Sequence, residues 1–189
     1  MQAPPAVAQF MYFDSDGDGF YTPNETLNPA TTAVDVWLDP SHNRDGSEAV
    51  CNSSSAALTI GSYSFILSAL GPLTYGSWQD NLGFSLSPID LVSQQWCHIS
   101  RSSDVRLSAG RHKLGTLNLS GVSAGSYLFI VASTSISPDA STGFGTDCEG
   151  LGGDNLYVLG RDWMDVGHLP YPTDAATSTS WGSIKARYR

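Results

Sequence analysis

Hydrophobic and polar residues alternate in short stretches along the chain, and Gly, Pro, Asn, Asp and Ser separate one stretch from the next. A period of two is the pattern of a strand with one face buried. It predicts strands at Phe10–Asp14, Val34–Leu38, Ser62–Leu70, Leu73–Trp78, Leu91–Ile99, Lys113–Leu119, Tyr127–Ser133 and Asn155–Leu159. The shorter segments Ala57–Ile60, Gly83–Leu86 and Val105–Leu107 carry the same pattern. Turn chemistry fills the intervals, as at Asp45-Gly46, Gly71-Pro72, Ser108-Ala109-Gly110, Ala124-Gly125 and Gly152-Gly153. Many short strands with no long helical pattern between them predict an all-β fold, an antiparallel β-sandwich of the jelly-roll kind.

The C-terminal end breaks the pattern. His168–Ser180 is rich in Pro, Thr and Ser and reads as a linker. Beyond it Trp181, Ile184 and Tyr188 fall three and four residues apart, the spacing of one helical stripe, with Lys185, Arg187 and Arg189 among them. A short basic amphipathic helical tail is predicted. It either docks on its own domain or holds a partner through Trp181, Ile184 and Tyr188. The chain of 189 residues thus divides into an N-terminal extension (1–9), one domain (10–166) and a linker with tail (167–189).

Charge narrows the function. Charged residues make up 14% of the chain, and 9 Lys+Arg against 18 Asp+Glu give a net charge of -9. Such a balance cannot neutralise phosphates, which excludes a nucleic-acid partner and disfavours an anionic membrane surface. Cations are attracted instead. No apolar run approaches the roughly 18 residues that span a bilayer; the longest is Tyr127–Ala132. Met1–Ala6 lacks the basic and apolar regions of a signal peptide and reads as a mature N-terminus.

The three cysteines, Cys51, Cys97 and Cys148, can form one intrachain disulfide at most, and none sits in a C-x-x-C pair, which argues against a cysteine zinc site or a redox motif. Cys51 and Cys148 lie in loop-like sequence, whereas Cys97 lies in a predicted strand and can pack as a small hydrophobe. A Cys51–Cys148 bridge is therefore expected, with Cys51–Cys97 the competing pairing. An oxidising, extracellular compartment suits either.

The most specific motif is Asp14-Ser-Asp16-Gly-Asp18-Gly19-Phe20-Tyr-Thr22-Pro-Asn-Glu25, which fits the calcium-loop pattern D-x-[DN]-x-[DN]-G-x5-E at every specified position. Ca²⁺ takes six to eight oxygens at about 2.3–2.6 Å, so carboxylates must converge from alternate residues. Asp14, Asp16 and Asp18 supply them, and Gly19 permits the sharp turn. Phe20 offers a backbone carbonyl, Thr22 a water-mediated contact and Glu25 a bidentate carboxylate. Phe10–Phe13 before the loop reads as a strand, and Leu27-Asn28-Pro29 after it prevents a long exiting helix. A single loop hung on β-structure suggests a staple for stability rather than a paired sensor.

Other acidic clusters are less complete. Asp35, Trp37 and Asp39 share one strand face and lead to Asn43-Arg-Asp45-Gly46, which echoes half a calcium loop. Its simplest reading is a polar hairpin, with Asp35 or Asp39 lending an oxygen to the first site. Asp147, Glu149, Asp154, Asp162 and Asp165 surround Cys148 and form a candidate second cation cluster. Catalytic signatures are absent: His42, His98, His112 and His168 make no zinc-helix pair, and no nucleophile elbow occurs. Cys97 and His98, adjacent in a strand, face opposite sides. Tyr63, Tyr75, Trp78, Trp96 and Trp163 are candidate sugar-stacking residues, or core.

The calcium loop, followed by Val34-Asp-Val-Trp-Leu-Asp39, Asn43–Ser47 and Leu114–Leu117, and later by Phe144–Cys148 and Leu159–Trp163, resembles secreted bacterial cohesin-like or carbohydrate-binding-module-like β-sandwiches. The resemblance covers residues 10–166, with specificity concentrated in the loop. It implies a jelly-roll fold and a secreted setting. Cohesins bind dockerins, which carry two such loops on helices; one loop on a sandwich departs from both, so no dockerin-binding residue carries over. The expected function is a secreted or cell-surface, calcium-stabilised, non-catalytic adhesion or assembly module. It would act through a protein partner or self-association. A structural subunit of an extracellular filament or layer, and a polysaccharide-binding module, are the alternatives.

Overall fold

The computed structural model describes residues 9–22, 25–41, 48–50, 58–92, 96–108, 110–132, 141–146, 155–158, 164–166 and 168–170. Twelve strands run in the order β1 (Gln9–Asp14), β2 (Ala33–Asp39), β3 (Ile60–Leu70), β4 (Thr74–Asp80), β5 (Leu86–Val92), β6 (Trp96–Leu107), β7 (His112–Ser120), β8 (Tyr127–Val131), β9 (Gly143–Thr146), β10 (Asn155–Val158), β11 (Met164–Val166) and β12 (His168–Pro170). Among the described residues there is no helix, and every pairing is antiparallel except β1 with β11. The all-β expectation therefore holds. The N-terminal extension before Gln9, Cys51, Cys148 and the tail with Trp181, Ile184 and Tyr188 lie outside the described residues, as does the Asn43–Gly46 turn.

The strands form two sheets. The first has five, ordered β11-β1-β2-β7-β4, and the second has seven, built on the path β10-β9-β3-β6-β5. In the second, β3 holds β6 on one side and two strands on the other: β9 along Ser62–Ser64 and β8 along Ile66–Leu70. β12 extends that sheet beside β8. The chain thus passes from the first sheet to the second between Val166 and His168.

Side-chain alternation explains the layout. In β2, Val34, Val36 and Leu38 are buried, while Asp35, Trp37 and Asp39 lie on the opposite face. In β1, Met11 and Phe13 join the same core, and Phe10, Tyr12 and Asp14 point the other way. Core residues of the second sheet include Tyr63, Phe65, Leu67, Cys97, Ile99, Leu128 and Phe144, in one buried cluster with those of the first. Contacts between the sheets are specific. The Phe65 ring meets Trp78 edge-on at 5.1 Å, and the Tyr63 hydroxyl donates to the Asp80 carboxylate. Burying Phe65 completely makes it a residue whose truncation to Ala costs about 3–5 kcal/mol.

Three expectations change. The strand expected at Leu91–Ile99 is the end of β5 and the start of β6, which pair antiparallel with Val92 opposite Cys97 and Asp90 opposite Ile99. Ser93-Gln-Gln95 contains no Gly, Pro, Asn or Asp to mark a reversal, so apolar patterning ran through it. His168–Pro170, which composition assigned to a linker, is a strand on β8. Tyr63 and Tyr75, candidates for sugar stacking, are buried in the core. Cys97 is a buried thiol opposite Leu67, whereas His98 stands opposite Ile66 with Nε2 3.0 Å from Ser64 Oγ, so strand alternation separates the two.

Burial pushes the Tyr12 phenol up to about 12 and raises Tyr63 and Tyr75 as well. An unfolded phenol ionises near 10.0. The folded state holds these protons more tightly, so their contribution is complete below pH 10 and is lost as pH rises toward 12. The melting temperature is expected to fall above pH 10, in step with cooperative growth of phenolate absorbance. Gradual phenolate formation at an unchanged melting temperature would contradict these burials.

Candidate metal centre

The loop between β1 and β2 begins where β1 ends. Asp14 is the last residue of the strand, on its non-core face and opposite Asp35 of β2. Residues 15–20 then turn tightly, with Gly17 at φ 80 and Gly19 at φ 77, backbone conformations that side chains disfavour. The turns close on the loop's own carboxylates. Gly17 N–H donates to Asp14 Oδ1 at 2.6 Å and Gly19 N–H to Asp14 Oδ2 at 2.8 Å. Asp18 N–H donates to Asp16 Oδ1 at 3.2 Å, and Phe20 N–H to Asp18 Oδ1 at 2.7 Å.

Glu25 closes the loop. Its backbone N–H donates to the Thr22 carbonyl at 3.2 Å, and its Oε2 accepts both the N–H of Ser15, at 2.9 Å, and the Ser15 hydroxyl. Although Glu25 is only 5% exposed, its Oε1 has no hydrogen-bond partner among the described residues. Asp14, Asp16, Asp18 and Glu25 each bring one carboxylate oxygen to within 4.8 Å of the others. Asp14 and Glu25 are buried, Asp16 and Asp18 exposed. The four acids that the spacing selected therefore converge, with Phe20 and Thr22 in the chain between them.

A buried carboxylate oxygen left without a donor is costly unless something positive meets it. Three further carboxylates crowd toward the same point, and mutual repulsion raises that cost. A hard cation removes both penalties at once, and an all-oxygen donor set suits Ca²⁺ or Mg²⁺ rather than zinc or copper. The chemistry of the residues thus fits a divalent cation.

Asp35 and Asp39 do not join the group. Lys113 Nζ lies 2.6 Å from Asp35 Oδ2, the Thr116 hydroxyl donates to Asp35 Oδ1 at 2.6 Å, and Asp39 Oδ1 accepts the Ser41 N–H at 2.9 Å. Asp35 is neutralised by its own strand neighbours, which answers the expectation that it lends an oxygen to the loop. Asp45, Asp147, Glu149, Asp154 and Asp162 lie outside the described residues, and Asp165 is placed in β11 opposite Phe10.

An aromatic group supports the loop from beneath. Tyr12 stacks on Trp37, with centroids 6.4 Å apart and planes 6° from parallel, and also on Phe10, at 5.4 Å. The Tyr21 ring meets Phe10 edge-on at 4.7 Å. The Tyr12 hydroxyl donates to the Gly19 carbonyl at 3.0 Å, and Trp37 Nε1 donates to Asp14 Oδ2 at 3.2 Å. Over the rim, the Arg111 guanidinium sits 4.0 Å from the centre of the Phe20 ring, which is 55% exposed, and 5.6 Å from Trp37. Motif spacing does not reveal this support. The only sequence trace is that Tyr12, Trp37 and Asp14 fall on polar-face positions of their strands.

Comparison of the chain with protein-family models, with curated proteins and with solved structures returns no match.

Gly19 combines a positive φ with a close neighbour, since a Cβ there would lie 3.3 Å from the Trp37 ring. Gly19→Ala is expected to cost about 1–2 kcal/mol of stability from the backbone conformation alone. Thermal or urea unfolding of the variant checks this, and stability equal to wild type would show that the turn relaxes without cost.

Proposed function

We propose that the protein is a secreted or cell-surface β-sandwich, stabilised by Ca²⁺, that serves as a non-catalytic adhesion or assembly module. One observation carries the cation part: Glu25, whose buried Oε1 has no donor among the described residues, belongs to the group whose carboxylates converge with those of Asp14, Asp16 and Asp18. Ca²⁺ is preferred because the residues match the calcium-loop spacing, with Phe20 and Thr22 at the positions that supply a carbonyl and a water. The sandwich reading is supported by the single core cluster to which both sheets contribute. The secreted setting rests on the weakly charged composition and on the cohesin-like or carbohydrate-binding-module-like resemblance.

In this reading the cation fixes the loop that joins β1 to β2, and so fixes β1 against its neighbours. Leu27, just past the loop, donates its N–H to the Pro170 carbonyl at 2.7 Å, tying the loop exit to the C-terminal strands. The role is structural: occupancy sets the rigidity of one end of the domain, which an extracellular module needs under high calcium and mechanical load.

A second reading, the filament or layer subunit, is favoured by the position of β4 at the end of the five-stranded sheet. Thr74, Gly76, Ser77 and Gln79 on that edge are exposed, and an added strand from another copy would pair there. Sedimentation in millimolar calcium, with residues 2–9 or 181–189 removed, distinguishes an assembling subunit from a monomeric module. The polysaccharide reading loses Tyr63 and Tyr75 to the core and keeps the half-buried Trp78, while the side chains of Trp96 and Trp163 lie outside the described residues; a glycan array tests it.

Ca²⁺ present at one hundred times its dissociation constant would add about 2.7 kcal/mol, which for a chain of this size raises the melting temperature by about 5–10 °C. Excess chelator is expected to remove that increment. Glu25→Gln should abolish the calcium dependence while leaving the metal-free protein folded, since it relieves repulsion and its amide nitrogen can stand where Oε1 meets no donor. Asp14→Asn should abolish it too, at a cost in metal-free stability because its NH₂ meets an N–H donor at either oxygen position. A melting curve indifferent to verified metal removal would sink the cation reading.

A further inference from the structure

We propose that Trp37 is the positioning residue of the cation loop: its indole N–H decides which oxygen of Asp14 faces the metal. The proposal rests on reading the loop as a cation site, and it is carried by the donors around Asp14. A carboxylate oxygen accepts about two hydrogen bonds. Asp14 Oδ2 already receives two, from Gly19 N–H at 2.8 Å and from Trp37 Nε1 at 3.2 Å. Asp14 Oδ1 receives one, from Gly17 N–H at 2.6 Å, and keeps a lone pair. A cation in the loop would therefore find the free lone pair of Asp14 at Oδ1.

The same asymmetry appears at the far end of the loop. Ser15 supplies two donors to Glu25 Oε2 and leaves Oε1, buried and unpartnered, for the metal. Glu25 is thus held by one oxygen with the other left over, while Asp14 takes two donors on Oδ2 and one on Oδ1. At Glu25 the donors are local to the loop. At Asp14 one of the two on Oδ2 comes from a different strand, so the loop's first ligand is oriented by β2.

Trp37 suits this task. It is the register partner of Tyr12 across β1 and β2, and the two rings stack almost parallel on the face away from the core. Tyr12 in turn holds the Gly19 carbonyl, and Gly19 packs against the Trp37 ring closely enough that a Cβ would lie 3.3 Å away. In a helix–loop–helix site the flanking helices orient the ligands. Here β1 enters, and Glu25–Asn28 leave without helical structure, so an aromatic pair on the sheet takes over the orienting role. Donors of this kind, one step removed from a metal, typically govern affinity by a factor of ten or more.

Trp37→Phe keeps an aromatic ring beside Tyr12 while removing the donor and the Cζ2 and Cη2 atoms that lie against Gly19, so the wild-type indole resonance is the readout that loss of this packing does not affect. Calorimetric titration with Ca²⁺, at a temperature where the metal-free variant is still folded, is expected to show binding about tenfold weaker than wild type. In the wild-type protein, the assigned Trp37 indole N–H resonance should shift on saturation with Ca²⁺, and it should lie elsewhere in Asp14→Asn. Equal Ca²⁺ affinity in Trp37→Phe, or an indole resonance that saturating Ca²⁺ leaves unmoved, overturns the role given to Trp37. A wild-type chain that takes up no Ca²⁺ overturns the cation reading itself, so the two failures are distinct.

Discussion

Like charges held close together govern this end of the molecule. Two unit charges 4 Å apart cost about 1 kcal/mol in water and about 4 at the effective dielectric near a protein surface. Asp14, Asp16, Asp18 and Glu25 bring four carboxylate oxygens within 4.8 Å of one another. The local backbone answers that repulsion. N–H groups of Ser15, Gly17, Asp18, Gly19 and Phe20 all point at carboxylates of the loop. Only a tightly wound chain can aim so many donors inward, and the two glycines at positive φ provide the winding. Even so, Glu25 Oε1 remains without a donor among the described residues.

The first sheet consequently serves two chemistries. Its inner face contributes Met11, Phe13, Val34, Val36 and Leu38 to the core. Its outer face carries the Phe10, Tyr12 and Trp37 rings, with the Asp35–Lys113 pair beside them. Tyr12 is only 2% exposed although it stands on the outer face, because Phe10, Tyr21 and Trp37 surround it. A second apolar layer therefore lies outside the main core and directly under the loop. It is the reason a polar, acidic turn can hold a defined shape at the rim of a thin sheet.

Much of this architecture is legible in the sequence where alternation is strict. β1, β2 and β7 announce their faces through Val34-Asp-Val-Trp-Leu-Asp39 and its counterparts, and the four acids follow from spacing alone. Three- and four-residue strands such as β9, β11 and β12 are too short for periodicity to register. The β5–β6 reversal is hidden because Ser93-Gln-Gln95 lacks turn residues. The support for the loop is invisible for a different reason. Trp37 lies 23 residues from Asp14, and only the register of β1 on β2 brings indole and carboxylate together. Cross-strand partners are a property of pairing, and a single sequence read along its length does not contain them.

The parallel pairing of β1 with β11 has a consequence for how the chain reaches this structure. Gln9, Phe10 and Met11 sit beside Met164, Asp165 and Val166, partners drawn from opposite ends of the described chain. A protein synthesised from its N-terminus releases β1 well before β11, so the first sheet stays incomplete until more than 150 further residues have emerged. Long-range strand pairing of this kind is slow, because the entropy of closing the loop is spent before the contacts reward it. Until then β1 presents an open edge to other chains in the crowded surroundings of the ribosome. Residues 14–25, in contrast, are contiguous and close on themselves, so the acidic turn is able to order while its sheet is still half built.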